Sequence, residues 1–252
     1  MSGEKHAETK THVKLRRVAL ALLAALAVVV VAFLVYASTY SRATSRAQTA
    51  LAGSDTVRVT ATQDGYLFDG PGTQDALVFY PGGKVQCEAC AAQLEAIAER
   101  GTDVFLVRMP LNFAFLNMNA ADAIINSNDY HYDHWYVGGH SLGGAMAAVY
   151  AADHTDELDG LVVLAAYPTK SLRAPGFRML SVYGSEDGQV DKLQSHADLR
   201  PDDYTELVIE GGNHAQFGDY GTQDGDGAAT VSAEEQQALA ADAVASFTQQ
   251  GE

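Results

Sequence analysis

Three residues in this chain have the types and the order needed for nucleophilic acyl chemistry: Ser141, Asp187 and His214. Ser141 sits at the centre of Gly139-His140-Ser141-Leu142-Gly143-Gly144, a Gly-x-Ser-x-Gly pattern. A serine hydroxyl is a weak nucleophile until a base takes its proton. The usual base is an imidazole, held in the right tautomer by a carboxylate. Such a serine stands at the apex of a sharp turn between a strand and a helix, and the flanking glycines leave room for it. Trp135-Tyr136-Val137 predicts the strand, and the small residues 145–152 predict the helix.

Ligands of open parallel sheets bind at the carboxyl ends of the strands, so the partners are sought in loops after strands. Met179-Leu180-Ser181-Val182-Tyr183 reads as a strand, and Gly184-Ser185-Glu186-Asp187-Gly188 follows it. Asp187 is the expected acid and Glu186 the spare. Leu207-Val208-Ile209 reads as the next strand, followed by Gly211-Gly212-Asn213-His214. His214 is the expected base. His196 falls in a predicted helix and His140 reads as structural. A tetrahedral intermediate also needs donors aimed at its oxyanion. The N–H of Leu142 is one. The second should come from the loop after residues 76–80, where Pro81 has no N–H, so Gly83 or Lys84 is expected. Asn112, Phe113 and Phe115, after the run at 104–107, are the candidates for an apolar substrate wall. Core packing is the other reading for the two phenylalanines.

These residues need a scaffold. Continuous apolar runs at 76–80, 104–107, 161–164, 179–183 and 207–209 suit strands buried on both faces of a parallel sheet. Residues 57–62 alternate like an edge strand, with 66–68 as a hairpin partner across Asp64-Gly65. Helical patterns at 87–100, 120–125, 142–153 and 190–199 alternate with the strands. Ser232 and Glu235 form a capping-box pattern for a last helix running to about 249. The expected class is α/β, with a mostly parallel sheet and helices on both faces. Residues 168–178 are too few for a cap domain, so the site should be open.

The chain has 252 residues and a formal net charge of -16. Nothing in that balance would neutralise phosphates, which argues against nucleic acid. The head differs from the body. Lys14, Arg16 and Arg17 precede an uncharged apolar run at 18–37. Its 20 residues would span about 30 Å as a helix, the thickness of a bilayer core. The expected organisation is a cytoplasmic basic tail (1–17), a transmembrane helix (18–37), a linker (38–55) and a catalytic domain (56–252) outside the cytoplasm. Cleavage as a signal peptide near residues 35–37, giving a secreted protein, is the alternative.

Cys87 and Cys90 form a C-x-x-C that predicts a local disulfide, with free thiols or thiol–disulfide exchange as alternatives. Asp129, His131, Asp133 and His134 crowd together but precede the strand at 135, so a solvated loop is expected rather than a metal site. Asp219, Asp224 and Asp226 are expected in a mobile acidic loop. No cofactor or metal is called for.

Five blocks carry a resemblance. They are Phe79-Tyr80-Pro81-Gly82-Gly83-Lys84-Val85, Met109-Pro110-Leu111-Asn112, the Ser141 motif, Tyr183-Gly184-Ser185-Glu186-Asp187-Gly188 and Glu210-Gly211-Gly212-Asn213-His214-Ala215-Gln216-Phe217-Gly218. In this order they resemble the α/β-hydrolases, in particular a compact bacterial group related to dienelactone hydrolases and often membrane-anchored. The resemblance covers about residues 56–250. It implies the α/β-hydrolase fold and a Ser-Asp-His triad in that chain order. It does not imply a substrate. Pro81-Gly82 stands where many lipases have His-Gly. The expected function is a membrane-anchored serine hydrolase cleaving a small or lipid-like ester, with thioester and amide as lesser alternatives. An inactive binding or scaffold protein on the same fold is the alternative from another class.

Overall fold

The computed structural model describes residues 2–249, with side chains from residue 14 onward. The chain divides into two compact units, Met1–Tyr40 and Ser41–Glu252. The first is one helix, α1 (Ser2–Ser38). Its Lys14–Ser38 portion has a mean hydropathy of 3.2 and is long and apolar enough to cross a membrane.

The second unit is built on an eight-stranded sheet of order β1-β2-β4-β3-β5-β6-β7-β8. The strands are β1 (Arg58–Ala61), β2 (Gly65–Asp69), β3 (Asp75–Tyr80), β4 (Thr102–Val107), β5 (His134–His140), β6 (Gly160–Leu164), β7 (Arg178–Gly184) and β8 (Asp203–Ile209). β1 and β2 form an antiparallel hairpin, and β2 joins β4 antiparallel. Every other pairing is parallel. All residues of β3, β4 and β6 are buried, as their unbroken apolar runs require.

Helices cover both faces. Alternation along β3 sends Leu77 and Phe79 to one face, where α3 (Ala91–Ala98) and α7 (Ala233–Thr248) supply Leu94, Ile97, Val244 and Phe247. Ala76, Val78 and Tyr80 point the other way. There they meet Ala147, Ala148 and Ala151 of α5 (Leu142–Ala152) and Ile124 of α4 (Asp122–Ile125). Burying a side chain such as Leu94 or Ile97 contributes about 1.5–3 kcal/mol. The serine hydroxyl of Ser232 accepts from the Glu235 N–H at 3.1 Å and caps α7, a contact worth about 1 kcal/mol. The predicted helix at 190–199 is broken into α6 (Val190–Ser195) and a 3-10 turn, Ala197–Leu199.

Residues 38–55 are not the linker that their Ser/Thr/Ala/Gly composition predicts. Ser41 forms a parallel bridge with Val85. α2 (Ser45–Ala50) follows, with Ala47 and Ala50 buried. Arg46 reaches both carboxylate oxygens of Asp219, at 2.7 and 2.8 Å. Small residues here serve close packing, which composition does not distinguish from flexibility.

β4, β3 and β5 define where a ligand can go. The chain runs outward from β3 to β4, then returns to the other side of β3 for β5. The carboxyl ends of β3 and β5 therefore flank a topological switch point. Register pairs Tyr80 with Gly139, so Pro81-Gly82-Gly83 and His140-Ser141-Leu142 leave the sheet side by side. The connection from β6 to β7, residues 165–177, adds no further layer over this end.

Candidate active site

Ser141 lies between the last residue of β5 and the first of α5, with φ 54° and ψ -125°. A side chain at positive φ costs on the order of 1–3 kcal/mol, so the surroundings must hold it. Two backbone bonds do so: the Ser141 N–H donates to Leu164 O at 3.0 Å, and Ser141 O accepts from Ala145 N–H at 3.0 Å. Only glycine fits at 143, because a Cβ there would lie 2.2 Å from Tyr80 O. This close approach packs α5 onto β3 and makes the turn sharp.

Asp187 and His214 come from the loops after β7 and β8. A Cβ on Gly184 would stand 2.1 Å from Gly212 O, so glycine at 184 lets the two loops touch. The Nδ1–H of His214 donates to Asp187 Oδ2 at 2.8 Å. The two side chains are 1% and 0% exposed, so water does not compete for this bond. The other oxygen of Asp187 accepts from Gln189 N–H at 2.8 Å. With Nδ1 donating, Nε2 of His214 carries the lone pair. That atom is buried and has no hydrogen-bond partner among the described residues. Glu186 is exposed and bonds Ser185, not His214. His196 stacks on Tyr167, with centroids 4.5 Å apart.

His140, read as structural, bridges the elbow to His214. Its Nε2–H donates to His214 O at 3.1 Å, and the two rings lie 4.8 Å apart. Burial, then the neighbouring His214, push the His140 pKa well below the usual value, so it is neutral. Asp226 is a residue that sequence reasoning missed. Its carboxylate accepts from His214 N–H at 3.0 Å and from Ala215 N–H at 2.8 Å. Gln236 on α7 accepts from Asn213 N–H and donates to Asn213 O, at 2.9 and 2.7 Å. The expected mobile acidic loop is thus partly a brace: Asp219 is pinned by Arg46, and Asp226 holds His214. An aspartate in a Gly-rich loop carries no sequence mark of this role.

The two expected sources of the second oxyanion donor separate cleanly. Lys84 N–H donates to Asn112 O at 2.9 Å and is spent. Gly82 N–H faces the Cys90 thiol. The N–H groups of Gly83 and Leu142 make no hydrogen bond among the described residues. Gly83 packs against the Leu142 side chain, where a Cβ would be 2.6 Å from Cδ2. Of the proposed wall, Phe113 is buried and Phe115 exposed, with ring centroids 5.0 Å apart. Asn112 is half-buried.

The expected disulfide is not formed. Cys87 and Cys90 are free and buried. Burial pushes the Cys87 thiol up to about 12 and raises that of Cys90 as well. Exchange requires an accessible thiolate, which this environment disfavours. His134 Nδ1 lies 3.1 Å from Asp159 Oδ1 at the amino end of β5, remote from the elbow. No group of three or more metal-binding side chains occurs among the described residues.

A serine elbow at the switch point of a parallel sheet, with an aspartate–histidine pair from later strands, defines an α/β-hydrolase architecture. The family model described as "Alpha/beta hydrolase family" matches residues 76–238, and the chain belongs to that family. Solved structures agree on the fold. Dienelactone hydrolase from Anabaena variabilis is 15% identical, with a TM-score of 0.53 over 74% of this chain and 96% of that one. Est1E from Butyrivibrio proteoclasticus is 14% identical, with a TM-score of 0.52 over 77% and 97%. A monoacylglycerol lipase from Paleococcus ferrophilus is 16% identical, with a TM-score of 0.51 over 69% and 96%. Comparison with curated protein sequences gives no significant match.

Proposed function

We propose that this protein is a serine hydrolase that cleaves esters through an acyl-enzyme. Ser141 is the nucleophile, His214 the base and Asp187 its orienting carboxylate. The observation that carries this reading is the buried Nδ1–H to Asp187 bond, which leaves a bare Nε2 on His214. In the reaction Nε2 takes the Ser141 proton as Oγ attacks the acyl carbon. The oxyanion is met by the N–H groups of Gly83 and Leu142. The same proton passes to the leaving alcohol as the carbonyl reforms, giving the acyl-enzyme. Water then repeats the cycle: His214 takes its proton, hydroxide adds to the acyl carbon, and the proton returns to Ser141. Asp187 stabilises the imidazolium in both halves. A lipase and a dienelactone hydrolase among the similar structures support ester chemistry.

The Lys14–Ser38 helix supports a membrane anchor, with the basic residues Lys14, Arg16 and Arg17 on the cytoplasmic side and the hydrolase domain outside. N-terminal sequencing of the mature protein tests this: a start near Ser38 means a cleaved signal instead.

The catalytic reading is tested with a fluorophosphonate probe and p-nitrophenyl acetate on the purified chain. Labelling is expected at Ser141, and Ser141→Ala should abolish labelling and turnover while keeping the wild-type Tm. Folded wild type that neither labels nor turns over acyl esters would instead be a scaffold on a hydrolase fold.

A further inference from the structure

We infer that residues 41–47 are a positioning strap for the proposed reaction: they tie the loop that carries the oxyanion donor Gly83 to the loop that carries His214. The inference rests on the roles proposed above for Gly83 and His214. It is independent of the membrane reading, because cleavage near residues 35–37 would leave the strap whole.

One side of the strap grips the loop after β3. Ser41 N–H donates to Lys84 O at 2.8 Å, and Ser41 O accepts from Gln86 N–H at 2.9 Å. Ala43 N–H donates to the side-chain oxygen of Gln86 at 3.1 Å. Lys84 stands at φ 57°. A side-chain-bearing residue keeps such a conformation only where its surroundings impose it. Its N–H is held by Asn112 O at 2.9 Å and its carbonyl by Ser41. Gly83 shares a peptide plane with Lys84, so what fixes Lys84 limits where the Gly83 N–H can point.

The other side grips the segment after His214. Thr44 N–H donates to Asp219 O at 2.8 Å. The Arg46 guanidinium, already on both carboxylate oxygens of Asp219, also donates to Gln237 Oε1 at 2.8 Å. Gln237 passes the hold on: its Nε2 donates to the carbonyl of Gln216, two residues past His214, at 3.0 Å. Asp219 N–H closes the circuit by donating to Ala89 O at 2.7 Å. Ala43 and Ala47 of the strap form one buried cluster with Val85 and Ala89 from the first side and Ala215 and Tyr220 from the second.

Asp219 is 8% exposed and Arg46 is its cation. Charge-assisted bonds of this kind are strong and directional, so the strap sets the spacing of the two loops. That spacing decides whether Nε2 of His214 and the N–H of Gly83 converge on one acyl group. An error of about 1 Å in such a placement costs up to roughly 100-fold in rate.

The test uses the full purified chain and p-nitrophenyl acetate, with active sites counted by fluorophosphonate titration so that unfolded protein is left out of kcat. Arg46→Met removes the cation and keeps an apolar stem. It should lower kcat per site about tenfold or more and leave KM within about twofold. Arg46→Lys restores a point charge and should recover at least about half of the wild-type kcat. Thr44 has φ -73°, which proline matches. Thr44→Pro removes the N–H to Asp219 O and should lower kcat per site at least about threefold; it decides the matter alone should Arg46→Met fail to fold. Arg100→Met is the control, since it breaks an ion pair with Asp242 at 2.5 Å that touches neither loop. It should keep the wild-type kcat per site. Wild-type kcat in both Arg46→Met and Thr44→Pro overturns the inference and leaves the catalytic reading standing. So does an equal loss in Arg100→Met, or no recovery in Arg46→Lys. Wild type that neither labels nor turns over overturns the catalytic reading, and this inference with it.

Discussion

His140 donates from Nε2 to the carbonyl oxygen of His214 at 3.1 Å. The residue before the proposed nucleophile thus holds the backbone of the proposed base. The ring must be neutral to fit, because burial and the neighbouring His214 both lower its pKa. The folded value lies below the ordinary 6.5, so at acid pH the unfolded chain binds a proton that the folded chain does not. Stability from this site is full above the unfolded pKa and falls as pH drops toward the folded one, by up to about 1.4 kcal/mol per pH unit. His140→Gln keeps a donor for His214 O and cannot titrate. Its denaturation midpoint should fall less steeply below neutral pH than the wild type's. Parallel pH profiles would show that His140 does not contribute.

Asp226 offers a test of positioning without touching substrate. Asp226→Asn keeps one acceptor for the two N–H groups at 214 and 215 and adds a misplaced donor. A displaced base of this kind costs up to about 100-fold in rate. kcat should drop with KM nearly unchanged, and the Tm should move little. A wild-type kcat in Asp226→Asn shows that the brace is dispensable.

The acid should be Asp187 alone. Asp187→Asn keeps its oxygen for the Gln189 N–H and turns an amide N–H toward Nδ1 of His214, and losses of roughly 10⁴ in kcat follow from the wrong tautomer. Glu186→Gln should leave kcat within about twofold, since that side chain is exposed and apart from His214. The reverse ranking of the two variants would reassign the acid.

Gly83 can be tested by removing its N–H. Gly83→Pro should cost about 10²–10³ in kcat relative to Gly83→Ala, which brings the same Cβ against Leu142 but keeps the N–H; that is the usual loss for one oxyanion donor. Lys84→Ala keeps every backbone donor and should leave kcat near wild type. Circular dichroism of all three variants separates this from misfolding.

The thiols should be inert. Native protein should react slowly with a maleimide, and denaturation without reductant should release two reactive thiols. Cys87→Ser/Cys90→Ser should keep the wild-type level of p-nitrophenyl acetate turnover. Loss of turnover in a folded double variant would reopen a role for the pair.

Much of this was legible because the physics was local. Unbroken apolar runs announced β3, β4 and β6, since a strand covered on both faces has no polar side to show. The elbow at Ser141 was legible because a strained apex needs small neighbours, and the meeting of Asp187 with His214 because loops after parallel strands come to one end. The rest depended on distant partners. α2 looked like a linker because alanine and threonine serve close packing as well as loose chain. Asp226 looked like solvated charge because its partners are backbone N–H groups, which every residue has. Lys84 and Gly83 were equivalent until the Asn112 carbonyl claimed one of them.

The grip of Gln236 on Asn213 has a consequence for biosynthesis. Gln236 belongs to α7, the last helix among the described residues, while the elbow at Ser141 closes on β5, β6 and α5. A ribosome releases these parts in order. A nascent chain that has reached β8 can already shape the elbow, yet the loop that carries His214 lacks the Gln236 clamp on Asn213 until α7 has emerged and docked. On the proposed mechanism, full reactivity at Ser141 would arrive only once α7 has docked.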